Sequence, residues 1–274
     1  ANLKRLKDVT VGTLNDVVMA ICTGALRAYL LKHDGLPEGP LRAMVPVSIR
    51  TGEEEDPWTN RVSAIVAGLP TNCADLVERV ALCREAMKVA KYQFDLIPAD
   101  AISQVTDLTS PVIAASALRL VSRLKLTDRV NSPINVVISN VPGPREDLYF
   151  AGAKLDAYIP VSTIGDGIGL NITVHSYKNR LDFGLISDRY LVPDFGHLVD
   201  LHIAEIASLF EATGAEWAEP QSPPSMRFGG DGVEPIEASS ADVEDMIAAR
   251  SGLEADLAAK KASPRKVAVK KVKK

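Results

Sequence analysis

The chain has 274 residues, 46% of them hydrophobic and 24% charged, with a formal net charge of −4. Those values describe an ordinary globular protein, long enough for one sizeable core plus a tail. They leave no basic field of the kind that binds nucleic acid, and no apolar run approaches the ~20 residues of a membrane helix. The chain opens Ala1-Asn2-Leu3-Lys4 without an apolar leader, so the expected location is cytoplasmic, not secreted. It also opens without Met and runs almost directly into a helix, as a fragment or a processed product would. Cys22, Cys73 and Cys83 lack metal-ligand spacing and read as buried, reduced thiols.

The first clear element is a helix over Thr13–Leu31. Leu14, Val17, Val18, Ile21, Ala25, Leu26, Tyr29 and Leu30 follow the 3.6-residue period, and Thr13 with Asp16 makes a capping-box-like start. Gly35, Pro37, Gly39 and Pro40 end it. Two strands are predicted next, Ala43–Ile49 and Arg61–Leu69, the second apolar on nearly both faces as a central strand would be. An acidic loop joins them. A second helix is predicted from Cys73 to Tyr92, capped by Asn72 and striped by Leu76, Val80, Cys83 and Met87. A third starts near Pro111 and carries Ile113, Leu118, Val121 and Leu124.

From Ile134 the pattern turns to β. Strands are predicted at Ile134–Ser139, Leu148–Gly152, Leu155–Ile159, Gly167–Tyr177 and Arg180–Ser187, the last two joined by a turn at Asn179-Arg180. Pro193-Asp194 starts a final helix with Val199, Ile203, Ile206 and Phe210 on one face. The folded region is expected to span residues 1–217. Residues 218–274 read as a mostly disordered tail, with a short acidic helix over Ala241–Lys261 and a basic end at Ser263–Lys274. That end either touches anionic lipid or simply solubilises the chain. The element order describes an α/β chain of the α+β two-layer sandwich type, with too few βαβ alternations for a dinucleotide fold. Gly165-Asp166-Gly167-Ile168-Gly169 precedes a strand and so is no phosphate loop.

Two motifs carry more information. Thr13-Leu14-Asn15-Asp16-Val17-Val18 opens the first helix, and Ile138-Ser139-Asn140-Val141-Pro142-Gly143-Pro144 runs a strand into a stiff turn. With Val45-Pro46-Val47-Ser48-Ile49-Arg50 between them, and Gly169-Leu170-Asn171-Ile172-Thr173 through Asp188 and Val192-Pro193-Asp194 after them, the region Val9–Glu211 resembles the C-terminal half of the bacterial wax ester synthase/acyl-CoA:diacylglycerol acyltransferase (WS/DGAT) family. The family's catalytic signature, His-His-x-x-x-Asp-Gly, is absent: the four histidines have no His neighbour, and His33-Asp34-Gly35 mimics only its end.

The resemblance implies a chloramphenicol acetyltransferase-like lobe, a mixed sheet flanked by helices, that forms one wall of a tunnel against an N-terminal lobe bearing the catalytic His. It implies acyl-CoA as a substrate, diacylglycerol or a long-chain alcohol as acceptor, and no cofactor or metal. Greasy substrates imply work at the periphery of an inner membrane or a lipid droplet. Asn15 and Asp16 match the family's Asn-Asp motif, as active-site support, substrate contact or plain capping. Ser139 and Asn140, held by Pro142, Gly143 and Pro144, are either a polar pair aimed at a ligand channel or a self-satisfied turn; Gly143 is expected to adopt a conformation other residues resist. Asn171, Thr173 and His175 share one strand face, as a substrate wall or a face toward water. Arg50 meets a CoA phosphate or an ordinary salt-bridge partner, and His197 and His202 are expected at surface or boundary positions. The alternatives are a non-catalytic CoA- or lipid-binding module and, against the two motifs, a condensation-type enzyme of the same fold.

Overall fold

The structure, a computed structural model, describes residues 2–48, 62–96, 134–165 and 167–217, with single residues 248, 252 and 255. The helix expected near Pro111, Arg50 and the tail with its acidic helix lie outside the described residues, those three single residues apart.

A short helix unforeseen as a separate element, α1 (Asn2–Val9), leads into α2 (Leu14–Lys32). Then come β1 (Leu41–Ser48), β2 (Val62–Leu69), α3 (Leu76–Asp95), β3 (Val136–Val141), the two-residue strands β4 (Tyr149–Phe150) and β5 (Ala153–Lys154), β6 (Leu170–Tyr177), β7 (Arg180–Ser187) and α4 (Phe195–Thr213). The main sheet has the order β2-β1-β3-β6-β7. Its three central strands are mutually parallel, and both flanking strands are antiparallel to their neighbours. The sheet is therefore mixed, and the helices pack on one of its faces.

Strand alternation fixes which residues meet the helices. Ala43 and Val45, Ile65, Ala67 and Leu69, Val136 and Ile138, and Leu170, Ile172 and Val174 form one cluster with α2, α3 and α4. α2 is buried without a break from Asp16 through Tyr29. By length and hydropathy alone it would pass for a membrane span, contrary to the sequence reading, yet 78% of that window is buried inside the protein. A helix that is apolar all round belongs in a core when protein covers every side.

Three expectations need correction. β2 is an edge strand of the described sheet, not a central one. Its Val62 and Val66 are 53% and 46% exposed on the face away from the helices, so two-sided apolarity did not mean two-sided burial. α3 starts at Leu76 with Asp75 as its cap, because residues 70–73 are spent on a turn closed by Cys73 N–H donating to Pro70 O (3.0 Å); Glu78 N–H donates to Asp75 Oδ1 (2.7 Å). In place of the strands Leu148–Gly152 and Leu155–Ile159 there is only the β4–β5 ribbon, turned by Ala151 (φ 49°) and Gly152 (φ 83°). Beyond it the chain lies across β6 and β7 instead of joining their ladder.

On α4 the buried face carries Leu198, Leu201, His202, Glu205 and Leu209, while the expected Val199, Ile203 and Ile206 are only half-buried. The rotation accommodates an ion pair between Arg79 of α3 and Glu205 of α4, 3.2 Å apart with both side chains essentially inaccessible. α2 passes this pair at Gly24, where a Cβ would fall 2.0 Å from Glu205 Cδ.

Candidate functional site

Because β1, β3 and β6 run parallel, their carboxyl ends share one edge of the sheet, and the first turn of α2 reaches the same edge. In open α/β sheets ligands settle outside the carboxyl ends of parallel strands. The α2 turn is fixed by a full capping box: Asp16 N–H donates to Thr13 Oγ1 (3.2 Å) and Thr13 N–H donates to Asp16 Oδ2 (2.8 Å). Asp16 is thereby consumed in holding the turn and is itself buried.

With the turn fixed, Asn15 meets Asn140 at the end of β3, whose Nδ2 donates to Asn15 Oδ1 (3.3 Å). The two motifs, far apart in sequence, thus touch through their asparagines. Both line a cavity of about 310 Å³, together with Val45, Pro46, Val47 and Ser48 of β1 and Met87 and Lys91 of α3. Lys91 escaped the sequence reading. The signal was present, since it lies one turn beyond Met87 on the stripe that faces the sheet.

Ser139 does not join Asn140. Successive strand residues point to opposite faces, so Asn140 lies on the helix side with Val136 and Ile138, while Ser139 lies beyond the sheet in register with Thr173. Gly143 is needed for a reason other than the expected one. It has no left-handed φ, but a Cβ there would sit 2.0 Å from Ser176 O and 2.4 Å from His175 Cε1. The Pro142-Gly143-Pro144 turn lies directly on the end of β6, where Gly143 N–H donates to Ser176 Oγ (2.9 Å) and Lys178 N–H to Pro144 O (2.9 Å).

The polar face of β6 is covered by its own chain. Asn171 Nδ2 donates to Ser162 Oγ (3.0 Å) and Thr163 O (2.9 Å), and Thr173 Oγ1 donates to Asn171 Oδ1 (2.9 Å). Asn171 and Thr173 are 5% and 8% exposed, so neither faces open water; Asn171 ties down residues 162–163, and Thr173 orients Asn171. His175 is half-buried, its ring against Tyr158 at 4.1 Å between centroids. Asp182 takes Tyr158 N–H (3.2 Å), and Gly184 lets Pro160 O pass where a Cβ would be 1.8 Å away.

None of the four histidines lines the cavity. His33 and His197 lie at the other end of α2, near the Lys32–Asp194 ion pair (2.7 Å), and partial burial lowers the pKa of His197, helped by Lys32. His202, expected near the surface, is buried; desolvation pushes its imidazole down to about 4, although Nδ1 keeps a 2.8 Å bond to Leu198 O. Cys22 and Cys83 are buried as expected, and burial raises both thiols, Cys83 to about 12. Cys73 is only half-buried.

Residues 58–209 match the family model described as the WS/DGAT C-terminal domain. The chain belongs to the WS/DGAT family. Over 204 residues it is 41% identical to the O-acyltransferase WSD of Acinetobacter baylyi, covering 74% of this chain and 43% of that protein. It is 36% identical over 212 residues to a Mycobacterium tuberculosis protein named "probable diacylglycerol O-acyltransferase tgs2", covering 77% and 46%. Among solved structures, the wax ester synthase/diacylglycerol acyltransferase from Marinobacter aquaeolei VT8 superposes with a TM-score of 0.62 at 32% identity, over 78% of this chain and 47% of that one. This WS/DGAT chain thus spans less than half the length of the relatives it matches. The matched domain contains the Ser139–Pro144 turn and the β6–β7 hairpin, and the mixed sheet flanked by helices expected of the family is the fold found.

Proposed function

We propose that the chain is the C-terminal lobe of an acyl-CoA-dependent O-acyltransferase that esterifies diacylglycerol and long-chain alcohols, with the general base on an N-terminal lobe outside this chain. The observation that carries the reading is the contact between Asn15 and Asn140 on a cavity at the carboxyl ends of the parallel strands, in a chain that belongs to the WS/DGAT family. The names of the relatives, O-acyltransferase and wax ester synthase among them, support the same chemistry.

In that reaction a histidine of the other lobe takes the proton of the acceptor hydroxyl, and the oxygen attacks the thioester carbonyl. The tetrahedral oxyanion collapses with loss of the CoA thiolate, and no acyl-enzyme forms. This lobe contributes shape and polar groups. The placement of the four histidines supports a base supplied from elsewhere, since none borders the cavity. Asn15 and Asn140 are the polar groups best placed to face the reacting end of a substrate, and the capping box and the Gly143 turn hold them there. The test is acceptor-dependent release of free CoA from palmitoyl-CoA, with dioleoylglycerol and hexadecanol as acceptors, by a protein of the relatives' length that contains this chain. Release with either acceptor is expected; absence of release with both overturns the reading.

A further inference from the structure

We infer that the carboxyl edge of the sheet docks on an anionic phospholipid surface, with Tyr149 and Phe150 of the β4–β5 ribbon entering it and the cations of residues 260–274 meeting its headgroups. This docking stands apart from the acyltransferase chemistry and requires none of it. Phe150 is 85% and Tyr149 64% exposed, at a tip turned by Ala151 and Gly152. Large aromatic side chains so far out of the protein mark a contact surface, and Tyr and Phe are among the side chains that settle at a headgroup boundary. The ribbon behind them is firmly held. Leu148 N–H donates to Tyr177 Oη (2.9 Å), Leu155 N–H donates to Leu148 O (2.8 Å), and Asp147 pairs with Lys178 and with Lys154 (3.2 Å). A tip fixed in this way loses little conformational freedom on insertion.

Charge complementarity names the partner. Residues 260–274 carry eight Lys and Arg and no Asp or Glu, in a chain whose net charge is −4. The run lies beyond residues 58–209, which match the family model, so the matched domain does not account for it. Clusters of about four to eight such cations bind anionic headgroups.

Topology brings ribbon and run to one edge. β6 ends at Tyr177, so a ribbon tied to Tyr177 and Lys178 stands at the carboxyl ends of the parallel strands. α4 starts where α2 ends, at the Lys32–Asp194 pair, and passes Gly24 with Glu205, so it runs back along α2 toward Asn15. Its far end is pinned beside α1, where Arg5 Nη1 donates to Glu216 O (2.9 Å) and Trp217 packs on Phe210. Residues 218–274 therefore continue from the edge that carries the ribbon. Nucleic acid is the other anionic partner a basic run can take. It would need free cations beside the aromatic pair to follow its backbone, and Asp147 already neutralises Lys154 and Lys178.

The experiment is co-sedimentation of the 274-residue chain with vesicles of phosphatidylcholine, alone or mixed with phosphatidylglycerol. Binding to the mixed vesicles is expected, with far weaker binding to phosphatidylcholine alone and release at high salt. Changing the eight Lys and Arg of residues 260–274 to Gln is expected to weaken binding about a hundredfold. Phe150→Ser, a change at a solvent-exposed side chain, is expected to weaken it about tenfold with the melting temperature of the parent. No binding, equal binding to both kinds of vesicle, undiminished binding by either variant, or tighter binding to a DNA duplex than to the mixed vesicles would each overturn the inference. Vesicle binding without CoA release would sink the acyltransferase reading and spare this one, and CoA release without vesicle binding would do the reverse.

Discussion

Replacing Gly143 by alanine tests how tightly the motif turn is built onto the sheet. The added methyl would meet Ser176 O at 2.0 Å and His175 Cε1 at 2.4 Å, against a floor near 3.0 Å for real Cβ contacts. The His175 ring can swing away, but Ser176 O belongs to β6 and is held by the ladder, so the turn itself must retreat by about 1 Å. Overpacking of this kind costs roughly 1–3 kcal/mol. The retreat also breaks the 2.9 Å bond from Gly143 N–H to Ser176 Oγ, worth about 1 kcal/mol. Together the loss is about 3 kcal/mol, or roughly 6–12 °C in Tm for a folded unit of this size. Gly39→Ala, with nothing within 4 Å of the new carbon, is the control and should melt like the parent. The assay is thermal unfolding followed by circular dichroism. A Gly143→Ala protein that melts within about 2 °C of the parent would show that the turn does not lie on β6 as described.

Three further outcomes follow from the core and the sheet. Gly24→Ala places a carbon 2.0 Å from Glu205 Cδ and drives the carboxylate off Arg79, so denaturant unfolding should show a loss of about 3–5 kcal/mol, the usual cost of an uncompensated buried charge; a loss below about 1 kcal/mol would refute the packing. His202 has a folded pKa near 4, below its unfolded value of 6.5, so the unfolded chain binds the extra proton between those values. Its contribution is therefore complete above pH 6.5 and falls away toward pH 4, by about 3 kcal/mol at most; His202→Leu should flatten that limb of the stability–pH curve, and an unchanged limb would contradict the burial. The face of β1 and β2 turned away from the helices leaves Val62 and Val66 largely exposed beside Met44 and Pro46, and the chain alone should self-associate in light scattering; a clean monomer would mean that this face needs no cover.

What was legible in the sequence followed from local rules. α2 and its cap were readable because the 3.6-residue period and the Thr13–Asp16 spacing both act within one helix. β6 and β7 were readable as two alternating runs, although the turn between them lies at Lys178-Asn179, with Lys178 at φ 53°, one residue before the expected Asn179-Arg180, because Arg180 already pairs with Tyr177. The separation of Ser139 from Asn140 was also within reach, since a two-residue period puts neighbours on opposite faces. Other features depend on which distant segments meet. Nothing local marks residues 155–164 as the cover for Asn171 and Thr173, because their Pro, Ser and Thr suit a strand end or a loop equally well. β2 carried a central strand's composition at an edge, because the need to cover Val62 and Val66 does not appear in the run itself. Nothing in the sequence links Arg79 to Glu205, and only the packing of α3 on α4 makes them a buried pair. The cavity combined both cases: its asparagines were found through motifs, while the i+4 spacing of Lys91 from Met87 showed its helix face but not that β1 and β3 would meet it there.

The central claim is that this lobe shapes an acyltransferase site without holding its base. The most direct test compares CoA release from palmitoyl-CoA by the 274-residue chain alone with release by the same chain joined to a preceding segment of the relatives' length, using dioleoylglycerol and hexadecanol. The account predicts no turnover from the chain alone and acceptor-dependent turnover from the longer protein. Turnover by the chain alone would contradict it and direct attention to His175, the half-buried histidine beside the motif turn.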